Sequence, residues 1–191
     1  MDIRPHRRLV VPFEPPLFSD VVEVSDFVAR AYEHFGVARF NSDMFDFLSV
    51  TLMRRMCNSL GLKLLVVCSG PDFAVRAAAD GADFVTAPVG DVHTVVSGVD
   101  GRSRVLVPVV SPMDLEMVKV SSASGVVCDS SFVGKARAGL QAGSLIFSSG
   151  GDVVAAVKDG ADFATVDPAL VRSPDLPTAF RQLAEDFREF T

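Results

Sequence analysis

Side chains that could bind or transform a small molecule lie at the ends of short apolar runs in this sequence. Arg39 and Asn41 end one such run, Thr86 ends another, and Asp129 and Asp167 each follow a further run. Arginine and asparagine bind anionic and oxygenated groups, and an aspartate beside them can act as a general base. These residue types predict a site for a small oxygenated or anionic molecule.

A loop rich in serine and glycine adds a second signal for anion binding. It follows the apolar run Leu145–Phe147 and precedes a helical pattern that begins near Asp152. Its four members are Ser148, Ser149, Gly150 and Gly151. Because free backbone N–H groups at the start of a helix attract phosphate, we predict that this loop binds one. Ordinary helix capping by serine and glycine explains the same residues equally well.

The cysteines and histidines predict no reactive or metal-binding centre. Cys128 precedes Asp129, whose negative charge raises the pKa of a neighbouring thiol and makes it a poorer nucleophile. The histidines, His6, His34 and His93, lack the spacing that is typical of metal ligands. We expect no metal and no cofactor; a magnesium ion held by loop aspartates is the alternative.

An internal repeat indicates which elements position these residues. The segment Asp80–Thr86 reads Asp-Gly-Ala-Asp-Phe-Val-Thr, and it returns with one change 79 residues later as Asp159–Thr165. Three further apolar runs lie between the two copies, at Val105–Val110, Gly125–Cys128 and Leu145–Phe147. The spacing therefore indicates four strand-and-helix units of about 20 residues each in half of the fold.

Three more apolar runs precede the first copy and bring the number of predicted strands to eight. They are Leu9–Phe13, Val37–Phe40 and Leu64–Cys68. Short strands that are apolar on both faces are typical of a parallel sheet covered by helices. We predict an α/β fold, a compact (β/α)₈ TIM barrel formed by residues 1–191 as a single domain. Because such barrels typically have about 250 residues, an open doubly wound α/β sheet is the alternative.

The composition argues against several classes of partner. The 191 residues are 49% hydrophobic and 22% charged, which is the balance of a globular protein. The formal net charge is −6 and the cationic residues are scattered, so we expect no binding to nucleic acid or to a membrane. No apolar stretch approaches the roughly 18 residues of a membrane span, and the three cysteines lack CxxC spacing. We expect a cytoplasmic protein.

The segment Gly160–Leu170 carries the most specific family motif. It resembles the stretch Gly-Ala-Asp-x-x-Thr-x-Pro-Pro-x-Leu on the last strand of the small transaldolases and fructose-6-phosphate aldolases, which are class I aldolases with a TIM barrel. The pairs Ser173-Pro174 and Glu185-Asp186, followed by Phe187, are similar to the His-Pro and Glu-Asp-Trp of that family's tail, with the same spacing. Weaker similarity, at Gly36–Asn41 and Ala82–Pro88, extends over nearly the whole chain.

The departures from this family bear on activity. The resemblance implies a Schiff-base lysine on the fourth strand, and the matching position here is Thr86, which cannot form an imine. The family's first-strand aspartate falls near Pro12, and its phosphate-holding basic residue falls near Ser148. Lys135, just after the sixth predicted strand, is the alternative position for a relocated Schiff base.

Two functional hypotheses follow from these residues. In the first, the chain is a catalytically silent or repurposed relative of this family that binds a small phosphorylated or anionic ligand, such as a sugar phosphate. In the second, it is an enzyme that acts on sugar phosphates without an imine, with Asp129 or Asp167 as base and Ser149–Gly151 holding the anion. Any activity kept from the family would be that of a lyase or a transferase.

The segment Asp175–Phe190 predicts a terminal amphipathic helix. Its apolar residues recur at helical spacing, at Leu176, Phe180, Leu183, Phe187 and Phe190. Because eight units already close a barrel, the stripe needs a partner surface, and we predict a homo-oligomer that forms through this helix. The alternative is that the helix covers the barrel's own side.

Overall fold

Strands and helices alternate through the part of the chain that the computed structural model describes, residues 5–13, 17–41 and 49–188. The strands are β1 (Leu9–Phe13), β2 (Val37–Asn41), β3 (Lys63–Val67), β4 (Phe84–Thr86), β5 (Arg104–Val109), β6 (Gly125–Cys128), β7 (Leu145–Ser148) and β8 (Phe163–Thr165). The helices of these ranges are α1 (Val21–Ala31), α2 (Val50–Leu60), α3 (Pro71–Ala79), α4 (Val92–Val99), α5 (Pro112–Lys119), α6 (Val133–Gly139), α7 (Val153–Lys158), α8 (Pro168–Val171) and α9 (Leu176–Arg188).

The strands close into a barrel. Each pairs in parallel with the next one along the chain, and β8 pairs with β1. The predicted (β/α)₈ TIM barrel is thereby confirmed, and the open doubly wound sheet is excluded. The bounds of β1 and β6 are those predicted, and the ends of β2, β3, β5 and β7 differ by one residue. The barrel fits into a short chain partly because β4 and β8 have only three residues each.

Side chains from alternate strand positions fill the inside of the barrel. One buried cluster, separate from the larger core between the sheet and the helices, consists of Val10, Val37, Leu65, Phe84, Leu106 and Phe147. The rings of Phe84, Phe147 and Phe163 contact one another, with centroids 4.4, 5.0 and 5.9 Å apart. Because these rings occupy the middle of the barrel, its two ends are separate surfaces.

Capping residues in the sequence set the starts of two of the helices. Pro112 begins α5, and Ser111 and Asp114 form a reciprocal capping box at its start. Asp152 caps α7 because its carboxylate accepts a hydrogen bond from the Ala155 N–H at 3.0 Å. Such caps fix where the loop after a strand turns into the next helix.

The last helix, α9, lies against the surface of its own barrel. Leu176 and Phe180 are buried, and Leu183 packs partly against the main core. The helix contacts α1, α7 and α8, and the Phe180 ring stacks on the His34 imidazole with centroids 5.9 Å apart. The predicted helix runs on to Phe190, which lies outside the described residues. Of the helices in the described ranges, none is both long and apolar enough to cross a bilayer.

Candidate functional site

Two adjoining cavities lie at the carboxyl ends of the strands. We call this end of the barrel the barrel mouth. The first has a volume of about 220 Å³ and is lined by Arg39, Asn41, Leu65, Val67, Thr86, Pro108, Val127 and Ser149. The second has a volume of about 340 Å³, shares Pro108, Val127 and Ser149 with the first, and extends to Cys128, Asp129, Ser131 and Phe132. The fold therefore brings four of the predicted site residues, Arg39, Asn41, Thr86 and Ser149, to one cavity.

Arg39 spans the mouth. It is a half-buried residue of β2, and its Nη1 donates a hydrogen bond to the carbonyl oxygen of Ser149, after β7, at 3.4 Å. The register of β2 gives Arg39 the same inward orientation as Val37, which lies two residues earlier in the interior cluster. A permanent positive charge therefore lies inside the first cavity, beside the serine-glycine loop.

The loop after β7 is shaped by hydrogen bonds within the protein. The Ser148 hydroxyl is buried and donates to the carbonyl oxygen of Gly150 at 3.0 Å, while the Ser149 N–H donates to the carbonyl oxygen of Cys128 at 2.8 Å. Ser148 thus supports the loop, and Ser149 faces both cavities. The N–H groups of Gly150 and Gly151 have no acceptor among the described residues.

Gly151 is required by the path of this loop. Its φ of +82° lies in the left-handed region, and a Cβ at this position would overlap the Ser130 hydroxyl. The helix that follows, α7, has only six residues. Because a short helix has a small macrodipole, an anion here would depend on Arg39 and on loop amides more than on the helix.

Thr86 ends β4 at the wall of the first cavity. It is only 3% exposed, and its Oγ1 accepts a hydrogen bond from the Cys68 N–H at 2.8 Å. Its hydroxyl thus pairs with the main chain at the end of β3. The place that the family resemblance gives to an imine-forming lysine is therefore filled by a side chain that joins two neighbouring strands.

The two predicted base candidates, Asp129 and Asp167, cap turns at the rim. Asp129 accepts hydrogen bonds from the Ser131 N–H at 2.9 Å and from the Ser131 hydroxyl at 2.7 Å. Asp167 accepts one from the Ala169 N–H at 2.6 Å at the start of α8. The bonds from Ser131 lower the pKa of Asp129, since they stabilise the ionised carboxylate. Asp129 lines the second cavity, whereas Asp167 lines neither of the two mouth cavities.

The thiol and the amine near the mouth are poorly suited to nucleophilic chemistry. Burial, and to a lesser extent the neighbouring Asp129, raises the pKa of Cys128 to about 11, so this thiol stays protonated at neutral pH. Lys135 is exposed on α6, and its Nζ lies 5.7 Å from the centroid of the Phe132 ring. Among the described residues, no group of three or more histidine, cysteine, aspartate or glutamate side chains could hold a metal ion.

Four of the residues that line the first cavity were not predicted from the sequence as site residues. Leu65, Val67, Pro108 and Val127 are apolar and contribute its walls. Strand alternation was the signal that could have found them, because Val67 and Pro108 lie two residues beyond Leu65 and Leu106, which belong to the interior cluster. An apolar wall with few polar groups is typical of small-molecule sites.

Comparisons with known proteins identify the fold and no closer relationship. No protein-family model and no curated protein matches the sequence. Orotidine 5'-phosphate decarboxylase from Pyrococcus horikoshii OT3 matches with a TM-score of 0.76 at 18% identity, over 94% of this chain and 99% of that chain. The enzyme of the same name from Lactobacillus acidophilus matches with a TM-score of 0.76 at 13% identity, over 95% and 99%.

A third solved structure, an uncharacterized conserved protein from Geobacillus kaustophilus, matches with a TM-score of 0.77 at 14% identity. The match covers 94% of this chain and 99% of that chain. At these identities the likeness shows the (β/α)₈ barrel and nothing finer. The transaldolase resemblance of the sequence has no counterpart among these three structures.

Proposed function

We propose that the barrel mouth binds a small phosphorylated molecule, or another small anion, and that the chain performs no imine chemistry. The observation that carries this proposal is the position of Arg39, whose guanidinium lies in the first cavity and contacts the carbonyl oxygen of Ser149 at 3.4 Å. A planar guanidinium binds phosphate and carboxylate through two parallel hydrogen bonds, which makes arginine the usual residue for such ligands.

The loop beside Arg39 supplies further donors for an anion. The N–H groups of Gly150 and Gly151 have no acceptor within the described ranges, and the exposed Ser149 lines both cavities. Backbone N–H groups of a glycine-containing turn bind phosphate well because no side chain blocks the approach. Two of the solved structures named above are enzymes named for a substrate that carries a 5'-phosphate, which agrees with this ligand class.

Thr86, where the family has a lysine, supports a silent or repurposed relative over an aldolase. A hydroxyl cannot form an imine, and the Thr86 hydroxyl is buried and accepts a hydrogen bond from the Cys68 N–H. The second hypothesis, a sugar-phosphate enzyme with a rim aspartate as base, has less support. The lowered pKa of Asp129 makes its carboxylate a weaker base, and Asp167 lines neither mouth cavity.

Calorimetry with three probes tests the ligand class. We expect fructose 6-phosphate and inorganic phosphate to bind the protein, and fructose without phosphate to bind at least about tenfold more weakly than fructose 6-phosphate. Arg39→Gln should weaken the binding of both phosphorylated probes by about tenfold or more. Arg55→Gln is the matched control, because Arg55 is an exposed arginine of α2. Equal binding of fructose, or an equal effect of the two substitutions, would contradict the proposal.

Borohydride trapping tests the second half of the proposal. The protein is incubated with fructose 6-phosphate or dihydroxyacetone, reduced, and measured by intact-mass spectrometry. We expect no covalent adduct, since an amine must be present at the carbonyl carbon for an imine to form. A reduced adduct on any lysine, and on Lys135 in particular, would overturn the claim that imine chemistry is absent.

A further inference from the structure

The largest of the cavities described for this protein lies at the end of the barrel opposite to the mouth. It has a volume of about 440 Å³, and its lining includes Lys63, Phe84, Arg104 and Phe163, the first residues of β3, β4, β5 and β8. This volume is in the range of small-molecule sites and exceeds that of either mouth cavity. Parallel strands begin here, so we call this end the barrel base.

The floor of the base cavity is aromatic. Phe84 and Phe163 both line it, and the centroids of their rings are 5.9 Å apart. Behind them, the Phe147 ring stacks on Phe163 at 4.4 Å and meets Phe84 edge-on at 5.0 Å. A flat apolar or aromatic group could therefore rest on two rings that the interior of the barrel holds in position. The same rings separate this cavity from the mouth.

The walls of the base cavity carry an excess of positive charge. Arg7, which precedes β1, lines it together with Lys63 and Arg104, and Asp83 is the one carboxylate among the described residues of that lining. The Asp83 carboxylate is already paired, since it accepts hydrogen bonds from Arg54 Nη1 at 2.5 Å and from Lys63 Nζ at 2.8 Å. Because this carboxylate neutralises at most one of several cations, the cavity favours an anion even though the whole chain has a net charge of −6.

Two of these cations form no ion pair with another of the described residues. Arg7 Nη1 donates to the neutral carbonyl oxygen of Gly61 at 3.3 Å. The guanidinium of Arg104 forms no hydrogen bond or ion pair with another described residue, although its Cα is held in β5. Arg54, by contrast, is paired with the Asp83 carboxylate.

From the cavity, its aromatic floor and its unneutralised cations, we infer that the barrel base is a second ligand site, which takes a small molecule with an aromatic or flat apolar body and an anionic group. The body lies on Phe84 and Phe163, and the anionic group accepts hydrogen bonds from Arg104 and Arg7. This inference does not depend on the proposed function of the mouth, because different residues form the two sites.

Site-resolved NMR titration of the isotope-labelled protein tests the inference, with phenyl phosphate as the probe. We expect saturable shifts of the amide signals of Gly61, Phe84 and Phe163 at the base. Inorganic phosphate and benzyl alcohol each carry only half of the recognised chemistry, and each should bind there at least about tenfold more weakly. Shifts confined to Ser149–Gly151 would assign the probe to the mouth alone and would overturn the inference.

A matched pair of substitutions tests the role of charge. Arg104→Gln should weaken binding at the base by about fivefold or more, while Arg102→Gln, at an exposed arginine two residues earlier, should change it less than about twofold. Arg7→Gln, on a different element, should weaken binding in the same direction as Arg104→Gln. Unchanged affinity in both the Arg104 and the Arg7 variants, or benzyl alcohol binding as tightly as phenyl phosphate, would show an apolar cavity without an anion site.

Discussion

Asp83 and Asp162, which are 79 residues apart in the sequence, perform the same structural task in the two halves of the barrel. The Asp83 carboxylate accepts a hydrogen bond from the Leu64 N–H of β3 at 2.9 Å, and the Asp162 carboxylate accepts one from the Ile146 N–H of β7 at 2.8 Å. Each aspartate precedes its own strand and joins it to the strand before. The repeated motif is therefore a structural brace of the barrel base.

An arginine completes each brace, and it comes from the helix before β3 in the first half and from the helix before β7 in the second. Arg54 of α2 contacts Asp83 at 2.5 Å, and Arg137 of α6 contacts Asp162 at 2.7 Å. Asp83→Ala should lower the free energy of unfolding by about 1–3 kcal/mol, because it leaves the Leu64 N–H and the Arg54 guanidinium without their acceptor. The matched control is Asp80→Ala at an exposed position of the same motif, which should change it by less than about 0.5 kcal/mol. Urea unfolding followed by circular dichroism measures both, and equal losses would contradict the structural role of Asp83.

The fold could be predicted because the sequence repeats at half its length. Since Asp80–Thr86 and Asp159–Thr165 each hold a brace and a strand, their spacing fixed the number of units between them. Most predicted strand ends were correct to within one residue, because the apolar runs in the sequence are short and bounded by glycine or polar residues. The packing of the barrel interior was harder to predict, because the contacts among Phe84, Phe147 and Phe163 depend on strand register and on barrel closure.

The candidate sites could be predicted only in part, for a geometric reason. Site residues were predicted by the rule that they lie at the carboxyl ends of strands, and Arg39, Asn41, Thr86 and Ser149 line the first mouth cavity. The same rule passes over residues that begin strands, and Lys63 and Arg104 therefore went unnoticed. A sequence pattern also does not distinguish an aspartate that caps a turn from one that acts as a general base. The hydrogen bonds of Asp129 became visible only with the turn that it caps.

Gly151 should be intolerant of any side chain. Gly151→Ala is expected to lower the free energy of unfolding by more than about 1 kcal/mol, because its φ is +82° and the new Cβ would overlap the Ser130 hydroxyl. The matched control is Gly150→Ala, since a Cβ at Gly150 meets no atom within 4 Å. In a Ser130→Gly background the cost of Gly151→Ala should fall but not vanish, because the strained φ remains. A cost for Gly150→Ala as large as that for Gly151→Ala would refute this explanation.

The hydroxyl oxygen of Thr86 should stabilise the folded protein. Thr86→Val keeps the shape of the side chain but leaves the buried Cys68 N–H without the Thr86 acceptor, so we expect a loss of about 1–3 kcal/mol in the free energy of unfolding. Thr86→Ser keeps the hydroxyl and removes one methyl group, and it should cost less. Chemical unfolding of the three proteins side by side checks the order. A valine variant as stable as the parent would mean that the hydrogen bond contributes nothing.

The buried thiols should make the protein less stable in alkali. Burial raises the pKa of Cys57 from 9.0 to about 12, and burial together with Asp129 raises that of Cys128 from 9.0 to about 11. Between pH 9 and these values the folded protein keeps protons that the unfolded chain releases, so the free energy of unfolding falls as the pH rises. Below pH 9 the two thiols cause no such dependence.

Urea unfolding across this pH range, in the parent and in the double variant Cys57→Ala with Cys128→Ala, isolates the contribution of the thiols. The variant should be less stable at neutral pH because cavities replace two buried sulfur atoms. Its free energy of unfolding should nevertheless decline less steeply above pH 9 than that of the parent. Parallel declines in the two proteins would assign the alkaline sensitivity to other groups.

The barrel of the same chain already covers part of the apolar stripe of α9. Leu176 and Phe180 are buried against the barrel, and Leu183 is partly covered. This burial is what the predicted alternative, a helix that covers its own barrel, requires. α5 carries a second apolar surface, on which Met113 is 74% exposed and Met117 is 44% exposed. α5 is therefore a second region, besides α9, through which copies could associate.

We predict that the chain forms a homo-oligomer through the end of α9, because an apolar stripe that continues to Phe187 and Phe190 exceeds what one barrel side needs. A helix that reaches onto the next copy makes a head-to-tail contact, which closes into a ring or polymerises. Sedimentation at micromolar concentration should show an oligomer for the intact chain and a smaller species for a chain that ends at Asp186. The double variant Met113→Glu with Met117→Glu should leave the oligomer unchanged. A monomeric intact chain defeats the prediction, and dissociation by the α5 variant but not by truncation moves the interface to α5.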